Sequence, residues 1–204
     1  MKEQRGRHRS LQKRSAAEYG VGWSSGPIRP AALGCHPVQK IYLVRHGIAA
    51  DPDEWKGPDD SRPLNAKGRR SFRETARAFA RLGERVELVC TSPLVRAVQT
   101  AEVLAGVLEL DEVTVLEELR ADVPVQRLLE RVAELPAKRI ALVGHDPQLS
   151  GAAAALGRVE PARIEFPKGA IVRFDADDAA GRKAQARWWL EPGAKKPHDG
   201  LPCR

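Results

Sequence analysis

Residues 41–47 read Ile-Tyr-Leu-Val-Arg-His-Gly, a run of apolar, β-forming residues that ends abruptly in a cation and an imidazole. Four consecutive apolar residues are typical of a strand buried on both faces of a parallel sheet. Gly47 allows the backbone to come close to whatever lies beyond the end of the strand. The stretch therefore predicts a central strand whose carboxyl end presents Arg45 and His46.

The rest of the chain alternates between strand and helix patterns. Further strands are predicted at 88–90, 113–116, 139–143, 170–174 and 185–190, with helices after Asn65, from Pro93, over 125–135 and from Pro147 to Leu156. Ser92 and Asp146 are expected to cap the second and fourth helices, each followed by a proline in the first turn. This alternation predicts an α/β fold: a three-layer α/β/α sandwich around a mainly parallel sheet.

Composition excludes several classes of protein. The 204 residues are 42% hydrophobic and 30% charged, as expected for one ordinary globular domain. Because no apolar run approaches ~20 residues and the amino end lacks the apolar core of a secretory signal, neither a membrane span nor export is expected, and the cytoplasm is the expected compartment. Three cysteines without a CxxC spacing argue against a disulfide framework or structural zinc, and we expect no metal and no cofactor.

The positive charge is concentrated at the amino end. Residues 1–38 contribute +5 of the formal net charge of +7, and they carry Gly, Ser and Pro without apolar periodicity. This composition predicts a disordered basic tail, with a targeting or anion-binding segment and a true start near Val38 as alternatives. We expect a domain over 39–192 and a carboxyl-terminal tail over 193–204. Since the excess charge belongs to the tail and aromatic residues are only 5%, no nucleic-acid partner is expected.

Cationic and imidazole side chains follow three of the predicted strands. Arg45 and His46 follow the first strand, Arg96 lies in the first turn of the second helix, and His145 follows the fourth predicted strand. In open α/β sheets the ligand site lies beyond the carboxyl ends of the strands, so these four side chains are expected to converge. Two arginines, two imidazoles and two helix amino termini favour a compact, multiply charged anion, above all a phosphoryl group.

His46 is the better candidate nucleophile of the two imidazoles. It lies on a strand-to-loop turn before Gly47, where the backbone can approach a phosphate. A neutral imidazole whose tautomer is fixed by a backbone carbonyl can attack phosphorus and form a phosphohistidine, which water then hydrolyses. Fixed cations would stabilise the phosphoryl oxygens during both steps.

Three segments in this order resemble the histidine phosphatase superfamily, also called phosphoglycerate mutase-like. They are Leu43-Val44-Arg45-His46-Gly47, the stretch 92–101 (SPLVRAVQTA) and Val143-Gly144-His145-Asp146-Pro147. The resemblance covers roughly residues 40–190 and is greatest to the small SixA-type phosphohistidine phosphatases, on 61–64 (SRPL) and 188–192 (WWLEP) as well. It implies a phosphoglycerate mutase-like sheet, with His46 as the phosphorylated nucleophile and Arg45, Arg96 and His145 completing the phosphate pocket.

The sequence also offers candidates for a proton donor and for substrate contacts around the phosphate pocket. Glu117, Glu118 and Asp122 lie where larger relatives carry an acid, and we take Asp122 and Glu118 as the candidates, although Asp122 is equally well placed to cap a helix. Gly47 is a candidate substrate-binding residue. Arg62 is another, unless it pairs with Asp59 or Asp60.

The expected activity is a phosphatase acting through a phosphohistidine intermediate. The expected partner is a phosphorylated protein, either a phosphohistidine phosphotransfer domain or a phosphocarrier. A small phosphate ester as substrate and a non-catalytic phospho-binding module remain as alternatives. We expect a monomer that binds neither nucleic acid nor membrane.

Overall fold

A computed structural model describes residues 40–176 and 184–203, so the predicted basic tail over 1–38 lies outside the described residues. The strands are β1 (Lys40–Arg45), β2 (Leu88–Thr91), β3 (Thr114–Val115), β4 (Arg139–Gly144), β5 (Ile171–Ala176), β6 (Ala184–Leu190) and β7 (His198–Asp199). The helices are α1 (Ala66–Arg81), α2 (Val95–Leu108), α3 (Val125–Ala133) and α4 (Gln148–Gly157). Three-residue 3-10 turns lie at Asp59–Ser61, Glu117–Leu119 and Pro161–Arg163.

The strands form one sheet in the order β3-β2-β4-β1-β5-β6-β7. The first four strands along the chain are parallel, whereas β5, β6 and β7 pair antiparallel. The predicted α/β fold is confirmed, and the sheet is mixed rather than mainly parallel. Only seven residues separate β5 from β6, fewer than a parallel crossover requires, so these strands can only form a hairpin.

Helices cover both faces of the sheet. Tyr42 and Val44 of β1 share one apolar cluster with side chains of α1 and α2, while Ile41 and Leu43 share the other with side chains of α3 and α4. All four residues are fully buried. Successive side chains of a strand point to opposite faces, so the continuous apolar run of β1 supplies both cores at once.

The predicted helix starts are only partly correct. Asn65 caps α1 as expected, and its side chain accepts a hydrogen bond from the Gly68 amide at 2.7 Å. The prediction that Ser92 caps the second helix with Pro93 in its first turn was wrong, because α2 begins at Val95 after a non-helical Leu94. The Ser92 hydroxyl is instead directed to His145, as described below.

The carboxyl-terminal segment, expected as a tail over 193–204, packs against the sheet as far as Cys203. Strand β7 pairs with β6, and Cys203 forms an isolated bridge with Ile164. The ring of His198 stacks on Trp189 at a centroid distance of 4.8 Å. The segment thus covers apolar surface of Trp188 and Trp189 on β6, which would otherwise be more exposed to solvent. In 40–176 and 184–203, no helix has the length and apolarity needed to cross a bilayer.

Gly68 provides a test of how α1 is packed against the loop that follows β1. A Cβ at Gly68 would lie 1.9 Å from the carbonyl oxygen of Ile48, whereas one at Gly106 on α2 would meet nothing within 4 Å. We expect Gly68→Ala to lower the free energy of unfolding by about 1–3 kcal/mol, because backbone must move. Gly106→Ala should raise it by about 0.5–1 kcal/mol, through helix propensity alone. Equal effects of the two substitutions in urea unfolding would contradict this packing.

Candidate active site

The two imidazoles are brought together by the pairing of β1 with β4. These strands run parallel and in register, with Arg45 opposite Gly144, so the residues that follow them become neighbours. The His46 amide donates to the Gly144 carbonyl at 3.1 Å, and the rings of His46 and His145 lie 5.0 Å apart between centroids. Residues separated by about a hundred positions along the chain therefore meet beyond one edge of the sheet.

Helix α2 brings Arg96 to the same edge. The Gly47 amide donates to the Thr100 hydroxyl at 3.1 Å, and that hydroxyl donates to the Arg96 carbonyl at 2.7 Å. Thr100 is fully buried and Arg96 nearly so, which ties the first turn of α2 to the backbone after His46. We refer below to Arg45, His46, Arg96 and His145 as the anion site.

His46 is held as a neutral imidazole with a defined tautomer. Its Nδ1 lies 2.7 Å from the Gly47 carbonyl, which can only accept, so Nδ1 carries the proton and Nε2 keeps its lone pair. The side chain is buried, with 7% of the residue exposed. Burial first, and then the neighbouring His145, Arg96 and Arg45, lower the pKa of His46 to about 3 against the opposing effect of the Gly47 hydrogen bond. At neutral pH the ring is therefore neutral, with a lone pair on Nε2 that can act as a nucleophile.

His145 is also buried and is fixed by Ser92. Its Nε2 lies 2.9 Å from the Ser92 hydroxyl, and that oxygen is 3.4 Å from the Leu94 amide. If the hydroxyl accepts from the amide and donates to Nε2, the proton of His145 lies on Nδ1, a buried atom with no partner among the described residues. Burial and the nearby guanidinium of Arg96 lower the pKa of His145 to about 4.

The two arginines are held in the same way. A terminal nitrogen of Arg45 donates to the Phe166 carbonyl and lies 2.9 Å from a carboxylate oxygen of Asp146. The terminal nitrogens of Arg96 donate to the Asp59 carbonyl at 2.8 Å and to its carboxylate at 2.9 Å. Each guanidinium is thus fixed at its far end by one carbonyl and one carboxylate.

Unpaired buried polar atoms, three nitrogens and the Gln148 side-chain oxygen, collect at this edge of the sheet. Five buried side-chain nitrogen or oxygen atoms lack a hydrogen-bond partner among the described residues, and they belong to Arg45, Arg96, His145, Gln148 and Arg139. The first four residues lie around the carboxyl ends of β1 and β4, and in both arginines of the anion site the unpaired atom is Nε. An unsatisfied buried donor costs about 1–3 kcal/mol. A bound oxyanion would supply the missing acceptors for Arg45 and Arg96.

The other predicted site residues lie further out. Arg62 pairs with Asp59 at 2.8 Å, the alternative that the sequence left open, and donates to the Ala50 carbonyl at 2.9 Å. The Asp122 side chain is 80% exposed and lies 3.6 Å from Arg120.

Asp122 is not a helix cap, because α3 begins after Pro124 without a side-chain cap. The loop that carries it is fastened by Gln148, whose amide donates to the carbonyls of Glu118 and Val123 at 2.7 and 2.8 Å.

Two carboxylates at the site were not anticipated. The sequence suggested Asp59 only as a partner of Arg62, and Asp146 only as a helix cap, whereas they fix Arg96 and Arg45. The predicted Asp146 cap with Pro147 in the first turn was wrong, because α4 begins at Gln148 with Pro147 at its N-cap and no side-chain cap. An acidic residue directly after His145 was the available signal for Asp146, because a buried cation requires a counterion. Within 40–176 and 184–203, no three His, Cys, Asp or Glu side chains are grouped to hold a metal ion.

Comparison with known proteins identifies the family. Residues 41–121 match the model of the histidine phosphatase superfamily (branch 1). An uncharacterized protein of Picosynechococcus sp. is 37% identical over 120 residues, which span 57% of this chain and 72% of that relative. The chain belongs to the histidine phosphatase superfamily.

Solved structures place the fold within the same group. The protein histidine phosphatase SixA complexed with tungstate superposes with a TM-score of 0.67 at 26% identity, over 75% of this chain and 97% of SixA. A putative phosphohistidine phosphatase SixA from Agrobacterium tumefaciens gives 0.64 at 22% identity, over 76% and 99% of the two chains.

A phosphatase named for a small molecule shares the fold as well. The putative alpha-ribazole-5'-P phosphatase from Escherichia coli gives a TM-score of 0.58 at 19% identity, over 74% of this chain and 95% of its own. The overall likeness is therefore to SixA structures, while the fold is common to phosphatases with other substrates.

The protonation of the two imidazoles can be measured directly. We expect nitrogen-15 NMR to show His46 and His145 neutral in the folded protein at pH 5.5, with the His46 proton on Nδ1. Their pKa values are lowered to about 3 and about 4, whereas both should titrate near 6.5 in urea.

The difference between the histidine pKa values of the folded and the unfolded chain also affects the stability of the fold. From pH 6.5 down to about 4 for His145 and about 3 for His46, the unfolded chain binds protons that the folded chain does not, so these residues lower the free energy of unfolding as the pH falls. Above pH 6.5 they impose no such penalty. Titration of either ring near pH 6.5 in the folded state would contradict the described environment.

Proposed function

We propose that this member of the histidine phosphatase superfamily is a phosphatase in which His46 attacks the phosphoryl group and the rest of the anion site binds its oxygens. The observation that carries the proposal is the convergence of a neutral His46, unprotonated at Nε2, with two guanidinium groups whose Nε atoms are buried and unpaired among the described residues. Such donors favour the spread negative charge of a phosphoryl group in its transition state.

The reaction would proceed in two displacements. The lone pair of His46 Nε2 forms a bond to phosphorus while the bond to the leaving group breaks and its electrons depart with that group. Water then attacks the phosphohistidine, the bond between phosphorus and Nε2 breaks, and orthophosphate leaves with His46 restored. Throughout, the proton stays on Nδ1, which donates it in a hydrogen bond to the Gly47 carbonyl, and that carbonyl stabilises the positive charge that develops on the ring.

A protein-borne phosphohistidine is the substrate class that we propose. An imidazole leaving group can depart already protonated, so it requires less of a general acid than an alkyl ester does. This agrees with Asp122, a candidate donor that is largely exposed and faces Arg120. Asp122 and Glu118 remain the proposed donors for any substrate whose leaving group must be protonated.

The short connection between α2 and β4 supports the same substrate class. Residues 109–138 contain β3, one 3-10 turn and α3, which leaves little chain for a lid over a small metabolite. An uncovered site suits a phosphate that projects from a partner protein. The likeness to a structure named as a protein histidine phosphatase and complexed with tungstate, a tetrahedral oxyanion, points the same way.

A small phosphate ester is the second candidate. The putative alpha-ribazole-5'-P phosphatase shares the fold, and the same nucleophile and cations would act on an ester. A module that binds phosphoprotein without turnover is disfavoured, because such a module has no need of a neutral imidazole with a free Nε2.

Removal of the nucleophile tests the mechanism. We expect His46→Ala to lower kcat for p-nitrophenyl phosphate by at least roughly a thousandfold, because no phosphohistidine can form. His198→Ala is the matched control, since that ring stacks on Trp189 at the sheet edge and should leave turnover unchanged. Substantial turnover by His46→Ala, with a melting temperature like that of the wild type, would remove His46 from the proposed role.

Substrate preference needs a separate comparison. We expect kcat/KM for a phosphohistidine-bearing phosphocarrier or phosphotransfer domain to exceed that for a panel of sugar, nucleotide and headgroup phosphates by at least roughly tenfold. Release of phosphate measured in parallel on all substrates supplies the ratio. If small esters are cleaved orders of magnitude faster, the protein substrate is wrong while the phosphatase chemistry stands.

A further inference from the structure

Asp59 lies at the centre of a hydrogen-bonded group on the loop between β1 and α1. One carboxylate oxygen accepts from Arg62 at 2.8 Å and the other accepts from Arg96 at 2.9 Å, while the Asp59 carbonyl also accepts from Arg96 at 2.8 Å. The hydrogen bond from Arg62 and the charge of Arg96 hold the pKa of Asp59 below its ordinary value, so the carboxylate is ionised at neutral pH. Asp59 therefore joins a loop arginine to an arginine of the anion site.

The turn that carries Asp59 is itself well anchored. The Ser61 hydroxyl and the Trp55 indole nitrogen both donate to the Pro58 carbonyl, at 2.8 and 3.0 Å. Arg62 reaches back to the Ala50 carbonyl at 2.9 Å. These contacts fix the position of the Asp59 carboxylate independently of Arg96, although 59% of that side chain is exposed.

The contacts of Asp59 determine which edge of Arg96 is available. Both bonds to Asp59 use the terminal nitrogens of the guanidinium, and they leave Nε buried and without a partner among the described residues. A planar guanidinium binds an oxyanion in a fork only when its orientation is fixed. With the terminal edge occupied, the edge that contains Nε is the one that remains for a phosphoryl oxygen.

Arg45 is held in a similar way, although both of its contacts use a single terminal nitrogen. Asp146 and the Phe166 carbonyl hold a terminal nitrogen, and Nε is again buried and unpaired. The two arginines of the anion site come from different elements and are held by unrelated loops. The repetition of one arrangement indicates a requirement of the site rather than an accident of surface pairing.

We propose that Asp59 is a positioning residue that orients Arg96, so that its Nε edge receives the substrate phosphate. The proposal rests on the proposed phosphatase function and adds to it a residue that does not itself touch the reacting atoms. If Asp59 instead competed with phosphate for Arg96, its removal would change the affinity for anions in the opposite direction. Removal of a competitor would strengthen anion binding, whereas removal of a positioning group weakens it.

Asp60 is a matched control on the same turn. Its side chain is also 59% exposed and pairs with an arginine at 3.0 Å, but the partner is Arg120, which lies outside the anion site. Asp60→Asn removes the same amount of charge from the same loop. It separates the specific contact with Arg96 from a general change in potential.

The experiment measures oxyanion binding separately from turnover. Tungstate and orthophosphate binding is determined by calorimetry, and KM and kcat for p-nitrophenyl phosphate by steady-state kinetics, on the full chain. We expect Asp59→Ala to raise the Kd for tungstate and the KM by roughly tenfold, the loss expected for one charge-assisted contact. Asp59→Asn keeps an acceptor oxygen and should recover part of this loss, and Asp60→Asn should stay within about twofold of the wild type.

A double-mutant cycle tests whether the effect passes through Arg96. In an Arg96→Ala background, Asp59→Ala should produce no further loss of tungstate affinity. An equal loss in both backgrounds would show a merely structural role and overturn the proposal. If Asp59→Ala fails to fold, Asp59→Asn carries the same comparison.

The remaining outcomes are also decisive. Unchanged or tighter tungstate binding by Asp59→Ala overturns the positioning role, and tighter binding establishes the competing carboxylate instead. If the wild-type protein neither binds tungstate nor hydrolyses any phosphate, the proposed function itself has failed. If the wild type is active and the Asp59→Ala variant is indistinguishable from it, the positioning role of Asp59 fails while the proposed phosphatase function stands.

Discussion

The parallel, in-register pairing of β1 with β4 is the constraint on which the rest of the structure depends. It sets Arg45 opposite Gly144, so that the next residue of each strand is a histidine. A shift of one residue would turn the alternating apolar side chains of β1 from one core to the other and would separate the imidazoles. Because β1 is buried on both faces, the hydrophobic effect that folds the sheet also fixes the geometry of the site.

Burial then sets the chemistry of the residues at the end of these strands. The same low-dielectric surroundings that lower the pKa values of His46 and His145 make charge on Arg96 costly. Asp59 offsets this cost by pairing with Arg96 from the more exposed side, and Asp146 pairs with Arg45. The site thus combines two neutral imidazoles with two arginines that are each paired with a carboxylate. The buried Nε atoms of these arginines are still free to donate hydrogen bonds to a bound anion.

Sequence reasoning recovered the parts of the fold that depend on pattern. The apolar run 41–44, the Asn65 cap and the alternation of strands and helices were sufficient for the α/β architecture and for the neighbourhood of His46 and His145. The antiparallel half of the sheet was missed, because strand periodicity carries no direction. The start of α2 was misplaced, because Ser92 has two possible partners and His145 is the nearer one, at 2.9 Å. The roles of Asp59 and Asp146 depend on contacts across the fold, which spacing along the chain does not encode.

A crystal structure of the wild-type protein with tungstate would test directly whether Arg45, His46, Arg96 and His145 form one anion site. We expect one tungstate whose oxygens lie within hydrogen-bond distance of Arg45 Nε and Arg96 Nε, with His46 Nε2 directed at the tungsten atom. His145 should contact a further oxygen of the same ion. Tungstate bound elsewhere on the surface, with these two Nε atoms still unpaired, would show that the four side chains do not form one anion site.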